Sequence, residues 1–599
     1  MSDRYVNMRN LQFLLDEVFE IQQLQALERY ADYDPEAIKL TIDTARQLAD
    51  QHLYPSYRAM DREKAHFQDG KVLVHPGLRE AIRALAEGGW VAAYFDYDHG
   101  GQQMPYTLLN VCQHIFYAAN SNAAAYAFLT QAAANLIVHF GSDELQETYL
   151  PSMLNGRWQG TMALTEPQAG SSLSDLTASA RLLDGERYAI KGQKIFISGG
   201  DHEAVDNVVH LLLARIEGAP AGVKGISLFV VPKYRPVDGK LLPNDVQTAG
   251  LYGKMGQKGY VAAHLMFGEN DGCEGYLVGA PHHGLAYMFQ MMNEARIATG
   301  NLANGVATAA YHASLQYAHE RAQGRLPGEK DPTQPPIQII EHADVRRMLL
   351  FQKAVTEGSL ALLLQCSLYA DLMAAGPAAE QGKYRLLLEL LTPIAKSFPS
   401  EMGIQAVSAG MQVLGGAGYT DDFPLEQHYR DIRVNSIYEG TTTIHGLDLL
   451  GRKVMMEKGQ AVKLFLQEIR ETAARARQFE ELISYADTLE EAARSLHQTT
   501  LHLLKQASER PPEYFLADAT LYLELFGLTT VGWQWLQQGV VAQQALQASE
   551  AGPDRDFYQG KMICLQYFFA YELPKRLYLE HRLQSYDKLT VTLRSEWLD

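Results

Sequence analysis

Positive charge is what this sequence has too little of. Its 52 lysines and arginines face 70 aspartates and glutamates, a formal net charge of −18. An acidic surface repels phosphate backbones, so nucleic acid and anionic membrane are poor bulk partners; a local basic pocket for a small phosphorylated ligand is compatible with it. Cysteine is scarce as well. Cys112, Cys273, Cys366 and Cys564 are scattered, none in a CxxC pair. That pattern predicts buried thiols in a reducing, cytoplasmic compartment and no structural zinc. The longest apolar stretch, Ala123 to Val138, is interrupted by Gln131 and Asn135. It falls short of the ~20 residues a bilayer span needs, so it reads as a buried helix. MSDRYVNMRN has no apolar core, so no signal peptide is expected. There is no GxxxxGK[ST], HExxH or GxSxG, and GGAG at 415–418 follows a helical run, so no Rossmann site is supported. The adjacent His282 and His283 are poorly spaced for one metal, and no metal site is expected.

What is present is a long chain of ordinary globular composition. It has 599 residues, 47% hydrophobic and 20% charged. A single core stops growing at about 250–300 residues, so several domains are required. Residues 1–158 read mostly as helix, with apolar spacings of three and four through PEAIKLTIDTARQLADQ and a Gly88–Gly89 stop after HPGLREAIRALAE. YFDYDHGGQQMP reads as a loop, followed by a helix through Ala134, and Ser142 as the N-cap of a further one. From about Gly160 to Ala280 short β-rich runs alternate with turns. RLLDGERYAIKG predicts a hairpin at Asp184–Gly185, and NVVHLLLARI, GISLFVVPK and GYVAAHLMF predict further strands. Close spacing of short strands favours a small barrel or sandwich over a parallel βαβ sheet. Helical patterns return at 284–323, 337–374 and 382–411, and helices separated by Pro511–Pro512 and Gly552–Pro553 fill 459–599. The expected organisation is an N-terminal arm (1–38), a helical domain (39–159), a β-barrel (160–281), a helical bundle (282–458) and an extra C-terminal helical domain (459–599).

Three segments carry chemistry. MALTEPQAGSSLSDL at 162–176 offers hydroxyls and glycine-permitted close approach to a flat ligand, or simply a turn entering a barrel. KIFISGG at 194–200 is a strand end before a glycine pair. RDIRVNSIYEGTTTIHG at 430–446 sets Glu439 beside Gly440 and three threonines; the carboxylate suits a general base or a helix cap equally.

Together these segments resemble the acyl-CoA dehydrogenase family across roughly residues 40–457. LTEPQAGS is similar to its TEPxAGS flavin motif, KIFIS to K-x-[WF]-I-[ST], and QVLGGAGY with RDIRVNSIYEGTT to its third signature. The resemblance implies an FAD-dependent enzyme, mainly α with a central β-barrel, that introduces a trans-2,3 double bond into acyl-CoA thioesters and passes electrons to an electron-transfer flavoprotein. It implies that Met162, Leu164, Thr165, Gly170 and Ser171 lie along the flavin, with Ser171 also reaching substrate, and that Phe196, Ile197 and Ser198 cover the other side of the ring. Arg321 and Gln323 stand in the diphosphate segment, although ERAQGR lacks its phenylalanine. Gln412, Gly415 and Gly416 would hold the adenosine end from a partner subunit, in a homodimer or a dimer of dimers. Thr441 and Thr443 would contact FAD, and Gly440 the thioester. Asn293 and Arg296 occupy the D-x-x-R pair, with Asp replaced by Asn. Glu439 would be the catalytic base, since Ala295, where some relatives carry theirs, has no carboxylate.

The N-terminal arm and 459–599 resemble the subgroup of about 600-residue bacterial members, which includes broad-range fatty acyl-CoA and 3-methylmercaptopropionyl-CoA dehydrogenases. Both substrate classes stay open. A different class, a flavin-containing DNA-protective or scaffold protein, carries a basic extension. Residues 459–599 hold 14 basic and 19 acidic side chains, which opposes DNA and membrane roles.

Overall fold

The structure is a computed structural model that describes residues 4–329, 331–548, 551–585 and 587–599. The chain forms two compact units, Asp32–Ala295 and a second made of Met1–Ala31 with Arg296–Asp599. Helix Gly284–Glu320 starts in the first and continues into the second.

In the first unit, Asp34 Oδ1 accepts from Ala37 N at 2.8 Å and Pro35 occupies the first turn, which starts helix Pro35–Leu48. The arm boundary expected at 38 falls inside that helix, and the chain changes unit at Ala31–Asp32. Gly88 and Gly89 end helix Gly77–Glu87, with Gly89 at φ 75°. Ser142 takes the expected cap position of helix Asp143–Leu154, but its side chain makes no capping bond. Helix Tyr106–Phe140 is more than twice as long as the apolar run inside it. Asn120 breaks its geometry (φ −161°, ψ 88°), donating to Leu53 O and accepting from Ala123 N. This helix and Ala343–Ala375 are long and apolar enough to cross a membrane by composition, yet most of each is buried inside the protein.

Among the described residues twelve strands follow the helices or interrupt them: β1 His66–Gln68, β2 Lys71–Leu73, β3 Trp158–Ala163, β4 Ser179–Asp184, β5 Arg187–Ser198, β6 Asn207–Ile216, β7 Ile226–Pro232, β8 Tyr234–Val237, β9 Lys240–Pro243, β10 Val246–Leu251, β11 Ala262–Phe267 and β12 Glu274–Leu277. Pairing β4–β5–β12–β7–β6 and back to β4 closes a barrel, with β10–β11 extending from β5 and β3 from β6. The barrel and the Asp184 hairpin agree with the sequence. Two parallel pairs, β3–β6 and β4–β6, do not. They join segments distant in sequence without a βαβ crossover, so local pattern carries no trace of them. β6 is buried from Asn207 to Ala214, which explains its unbroken apolar run. Ile137, Tyr149, Met153, Trp158, Val209, Leu211, Leu228 and Val230 fill the core between this sheet and the helices.

The second unit is helical. Its bundle contains Ala343–Ala375, Ala378–Leu414, Leu425–Ile432 and Thr442–Gly451. The C-terminal addition contains Gln460–Ala476, Ile483–Glu509, Ala519–Ala548, Pro553–Tyr567 and Arg576–Gln584. Trp535 Nε1 donates to Ala354 O at 3.0 Å, tying the addition to the bundle. At Gly358 a Cβ would lie 2.6 Å from Trp535 Nε1, and at Gly446 a Cβ would lie 2.7 Å from Ala519 O. Glycine is therefore what lets the addition pack this closely. The N-terminal arm docks on the same addition: Arg9 Nη2 donates to Tyr558 Oη at 2.8 Å, and Phe13 meets Phe557 at 5.4 Å. All four cysteines are buried and unpaired. Among the described residues, no group of His, Cys, Asp and Glu is arranged to hold a metal.

Candidate functional site

Two constellations contain the chemistry-bearing segments, one in each unit. In the first unit, β3 ends at Ala163 and delivers Leu164, Thr165 and Glu166, while β5 delivers Lys194 to Ser198. The segments are fastened together. Ile195 N donates to Thr165 O at 2.9 Å. Lys194 Nζ donates to Leu164 O at 3.0 Å and to Glu166 Oε1 at 2.8 Å, with both side chains almost wholly buried. Glu166 also accepts from Thr177 N, Thr177 Oγ1 and Ala178 N. Burial alone would raise the Glu166 carboxyl; the Lys194 ammonium and the Thr177 donors outweigh it and hold it below the usual range. Burial lowers Lys194 to about 8 against the pull of Glu166. A paired, multiply hydrogen-bonded charge of this kind fixes geometry.

Next to this staple the backbone is strained. Lys194 pairs with Leu265 and Ile197 with Ala263, so two residues face one and the strand bulges. Phe196 takes φ 58° and leaves its ring 57% exposed, tilted against Tyr252 at 4.2 Å. A non-glycine residue at left-handed φ is uncommon and has to be imposed by the surrounding structure. Ser198 and Thr165 are half-buried, and Gly170 and Ser171 exposed. Met162 and Leu164 pack partly into the core. Ile197 is only 2% exposed, so its side chain offers little surface of its own.

In the second unit, Glu439 (φ 53°) and Gly440 (φ 86°) form a left-handed dipeptide just before helix Thr442–Gly451. Thr441 Oγ1 accepts from Ile444 N at 3.3 Å, so Thr441 caps the helix and Glu439 is released from that role. Lys396 Nζ donates to Gly440 O at 2.8 Å. His445 Nε2 lies 3.1 Å from Glu439 O, and because that oxygen only accepts, the ring carries its proton on Nε2. Thr442 Oγ1 donates to the Glu401 carboxylate and to Ser436 O. Burial raises the Glu439 carboxyl above its ordinary range, opposed by Lys396 and Arg296. Burial pushes Lys396 down to about 8 and His445 to about 3. A carboxyl moved toward neutrality on a strained turn can accept a proton from a weak carbon acid.

The remaining predicted residues divide. Thr443 is exposed beside the turn. Gln412, Gly415 and Gly416 are exposed at the end of helix Ala378–Leu414, with open space where a Cβ on either glycine would stand. Arg321 and Gln323 are exposed on a separate loop held by Ile339 N to Arg321 O and Gln323 N to Ile337 O, both at 2.8 Å. Asn293 is half-buried. Arg296, expected in the D-x-x-R pair, is 5% exposed and paired with Asp448 at 2.9 Å. In the first unit, the ring presented by Phe196, the hydroxyls of Thr165 and Ser198 and the uncrowded Gly170 fit a flat cofactor. Lys396, His445 and the Glu166–Lys194 pair were not anticipated. The available signals were a lone lysine in the apolar helix face IAKSF and a charged residue inside each flavin segment.

Known proteins match the chain along most of its length. The acyl-CoA dehydrogenase N-terminal domain matches residues 35–157, its middle domain 161–269 and its C-terminal domain 282–455. An acetyl-CoA dehydrogenase C-terminal-like domain matches 465–594. The 3-methylmercaptopropionyl-CoA dehydrogenase of Ruegeria pomeroyi is 34% identical, over 94% of this chain and 94% of its own. The broad-specificity linear acyl-CoA dehydrogenase FadE5 of Mycobacterium tuberculosis is 31% identical, over 96% of each chain. A Bacillus anthracis acyl-CoA dehydrogenase solved with FAD shares the fold at TM-score 0.72 and 19% identity, covering 98% of this chain and 93% of that one. The chain belongs to the acyl-CoA dehydrogenase family, whose members are FAD-dependent oxidoreductases.

Proposed function

We propose that this acyl-CoA dehydrogenase desaturates saturated acyl-CoA thioesters to trans-2-enoyl-CoA in β-oxidation, with Glu439 as base. The observation that carries the reading is the left-handed Glu439–Gly440 turn with a raised carboxyl. FAD, when bound, supplies the two-electron oxidant. Glu439 removes the α-proton, and backbone N–H donors of the turn hold the thioester oxygen as negative charge develops on it. An apolar acyl chain excludes water, raising the Glu439 carboxyl further toward the pH of catalysis. Phe196, Ser198 and Thr165 orient the flavin, and Ser171 and Asn293 contact the pantetheine arm.

The electrons leave for an electron-transfer flavoprotein, and the enzyme works in the cytoplasm as a homodimer or dimer of dimers. Exposure of Gln412, Gly415, Gly416 and Tyr419 (84% exposed) supports a second copy completing the adenosine site. The identity to the Ruegeria pomeroyi enzyme favours a second substrate reading, a thioether-containing propionyl-CoA.

Anaerobic bleaching of the flavin by a panel of short- to long-chain acyl-CoAs plus the methylthio analogue tests both. Bleaching by straight-chain thioesters supports the first reading, bleaching by the sulfur analogue alone the second, and no bleaching refutes the function.

A further inference from the structure

We propose that Lys396 and His445 are positioning residues that hold the two carbonyl groups of the Glu439–Gly440 dipeptide and thereby lock the backbone that aims the base. The proposal rests on the reading of Glu439 as base. A glutamate at φ 53° sits in a region that L side chains avoid, so surrounding structure must impose it. Two contacts do so from different helices. Lys396, on helix Ala378–Leu414, reaches Gly440 O at 2.8 Å, and His445, on helix Thr442–Gly451, reaches Glu439 O at 3.1 Å. Each of the two consecutive carbonyls meets one donor.

The fit at Gly440 is close. A Cβ there would lie 2.9 Å from His445 Nε2, so the imidazole fills the space that glycine leaves. Lys396 has no exposed surface, and among the described residues Gly440 O is its one hydrogen-bond acceptor. A buried ammonium with three donors and a single acceptor is expensive for folding alone. Its charge is balanced by Glu439 and Glu401, while Arg296 opposes it.

The charged groups facing Glu439 are Lys396 and Arg296, and Arg296 is itself engaged by Asp448. His445 is neutral in this setting, between Arg296, Lys396 and Asp448. The two residues therefore separate in function. Both fix the backbone, and Lys396 alone also favours the ionised carboxylate.

The test uses the FAD-loaded enzyme with Lys396→Met, Lys396→Arg, His445→Leu, His445→Gln, Glu439→Gln and the double variant Lys396→Met/Glu439→Gln. Lys396→Met and His445→Leu are expected to lose about 10²-fold in kcat with KM nearly unchanged and flavin content retained. The acidic limb of kcat should move up by about one pH unit in Lys396→Met and stay in place in His445→Leu. Arg and Gln keep a donor and should restore much of the loss. Independently of activity, Lys396→Met should lower the thermal midpoint at neutral pH, and adding Glu439→Gln should restore it by removing the uncompensated carboxylate.

Wild-type kcat and an unmoved limb in both deletion variants would overturn the proposal. So would equal loss of flavin and stability in all four Lys396 and His445 single variants, which would mark a purely structural role. If Glu439→Gln alone retains activity, the base assignment fails instead.

Discussion

Lys396 and Lys561 are both lysines with almost no exposed surface in the same helical unit, and their surroundings are opposite. Lys561 donates to Asn10 Oδ1 on the N-terminal arm, to Glu357 at 2.8 Å and to Gln538 at 3.0 Å. Its ammonium also lies 4.8 Å from the Phe13 ring centroid. Glu357, shared with Lys353, is held down to about 2 by the two ammonium groups despite its burial. Every donor is used and the neighbouring backbone is ordinary, so this cluster fastens the arm, the bundle and the C-terminal addition together. Lys396 meets one carbonyl on a left-handed turn, beside a carboxyl pushed the other way. A saturated buried charge reads as a fastener; a sparsely satisfied one beside a strained acid reads as part of a site.

The largest effect expected at the fastener is on stability. Lys561→Met leaves Glu357 buried with only Lys353, and breaking such a pair costs about 3–5 kcal/mol. Denaturant unfolding should show that loss while kcat of the folded enzyme stays within about twofold. A matching fall in kcat would erase the distinction between the two lysines.

A smaller and mixed effect is expected where the addition meets the helix that follows the base. Gly446→Ala pushes a Cβ to 2.7 Å from Ala519 O, a backbone atom with little room to yield. Overpacking of this kind costs about 1–3 kcal/mol. Since Gly446 adjoins His445, both the thermal midpoint and kcat should fall, and an unchanged kcat would separate the addition from the site.

The smallest effect separates the two regions by pH. Burial holds His445 neutral, so its folded pKa lies below the unfolded value near 6.5. The unfolded chain then binds a proton first, and stability is lost as pH falls below about 6.5. Glu357 is depressed from 4.5 to about 2, so its contribution is complete above the unfolded value and is lost only as pH falls from there toward 2. His445→Gln should flatten the stability slope between pH 6.5 and 5 by up to about 1.4 kcal/mol per unit, measured by unfolding at several pH values. An unaltered slope would mean the ring is not held neutral.

The sequence made the three motifs, the helical–β–helical order and the barrel legible, because those depend on local pattern and on short runs with fixed chemistry. Glu439 was visible as a carboxylate beside glycine, but its left-handed backbone was not, since no side chain next to it announces that conformation. Lys396 lies 44 residues from Gly440, and Lys194 lies 28 from Glu166, so those contacts exist only after folding. The same holds for the Arg296–Asp448 pair, whose members are 152 residues apart. β9 was missed because it is short and wholly exposed, without the apolar alternation that announces a strand.

The central claim is that Glu439 removes the substrate proton. Rapid anaerobic mixing of the FAD-loaded wild type and Glu439→Gln with an acyl-CoA that bleaches the wild type tests it directly. The account predicts that Glu439→Gln binds FAD and thioester normally and is bleached about 10³-fold more slowly or not at all. Bleaching at a rate near that of the wild type would contradict it.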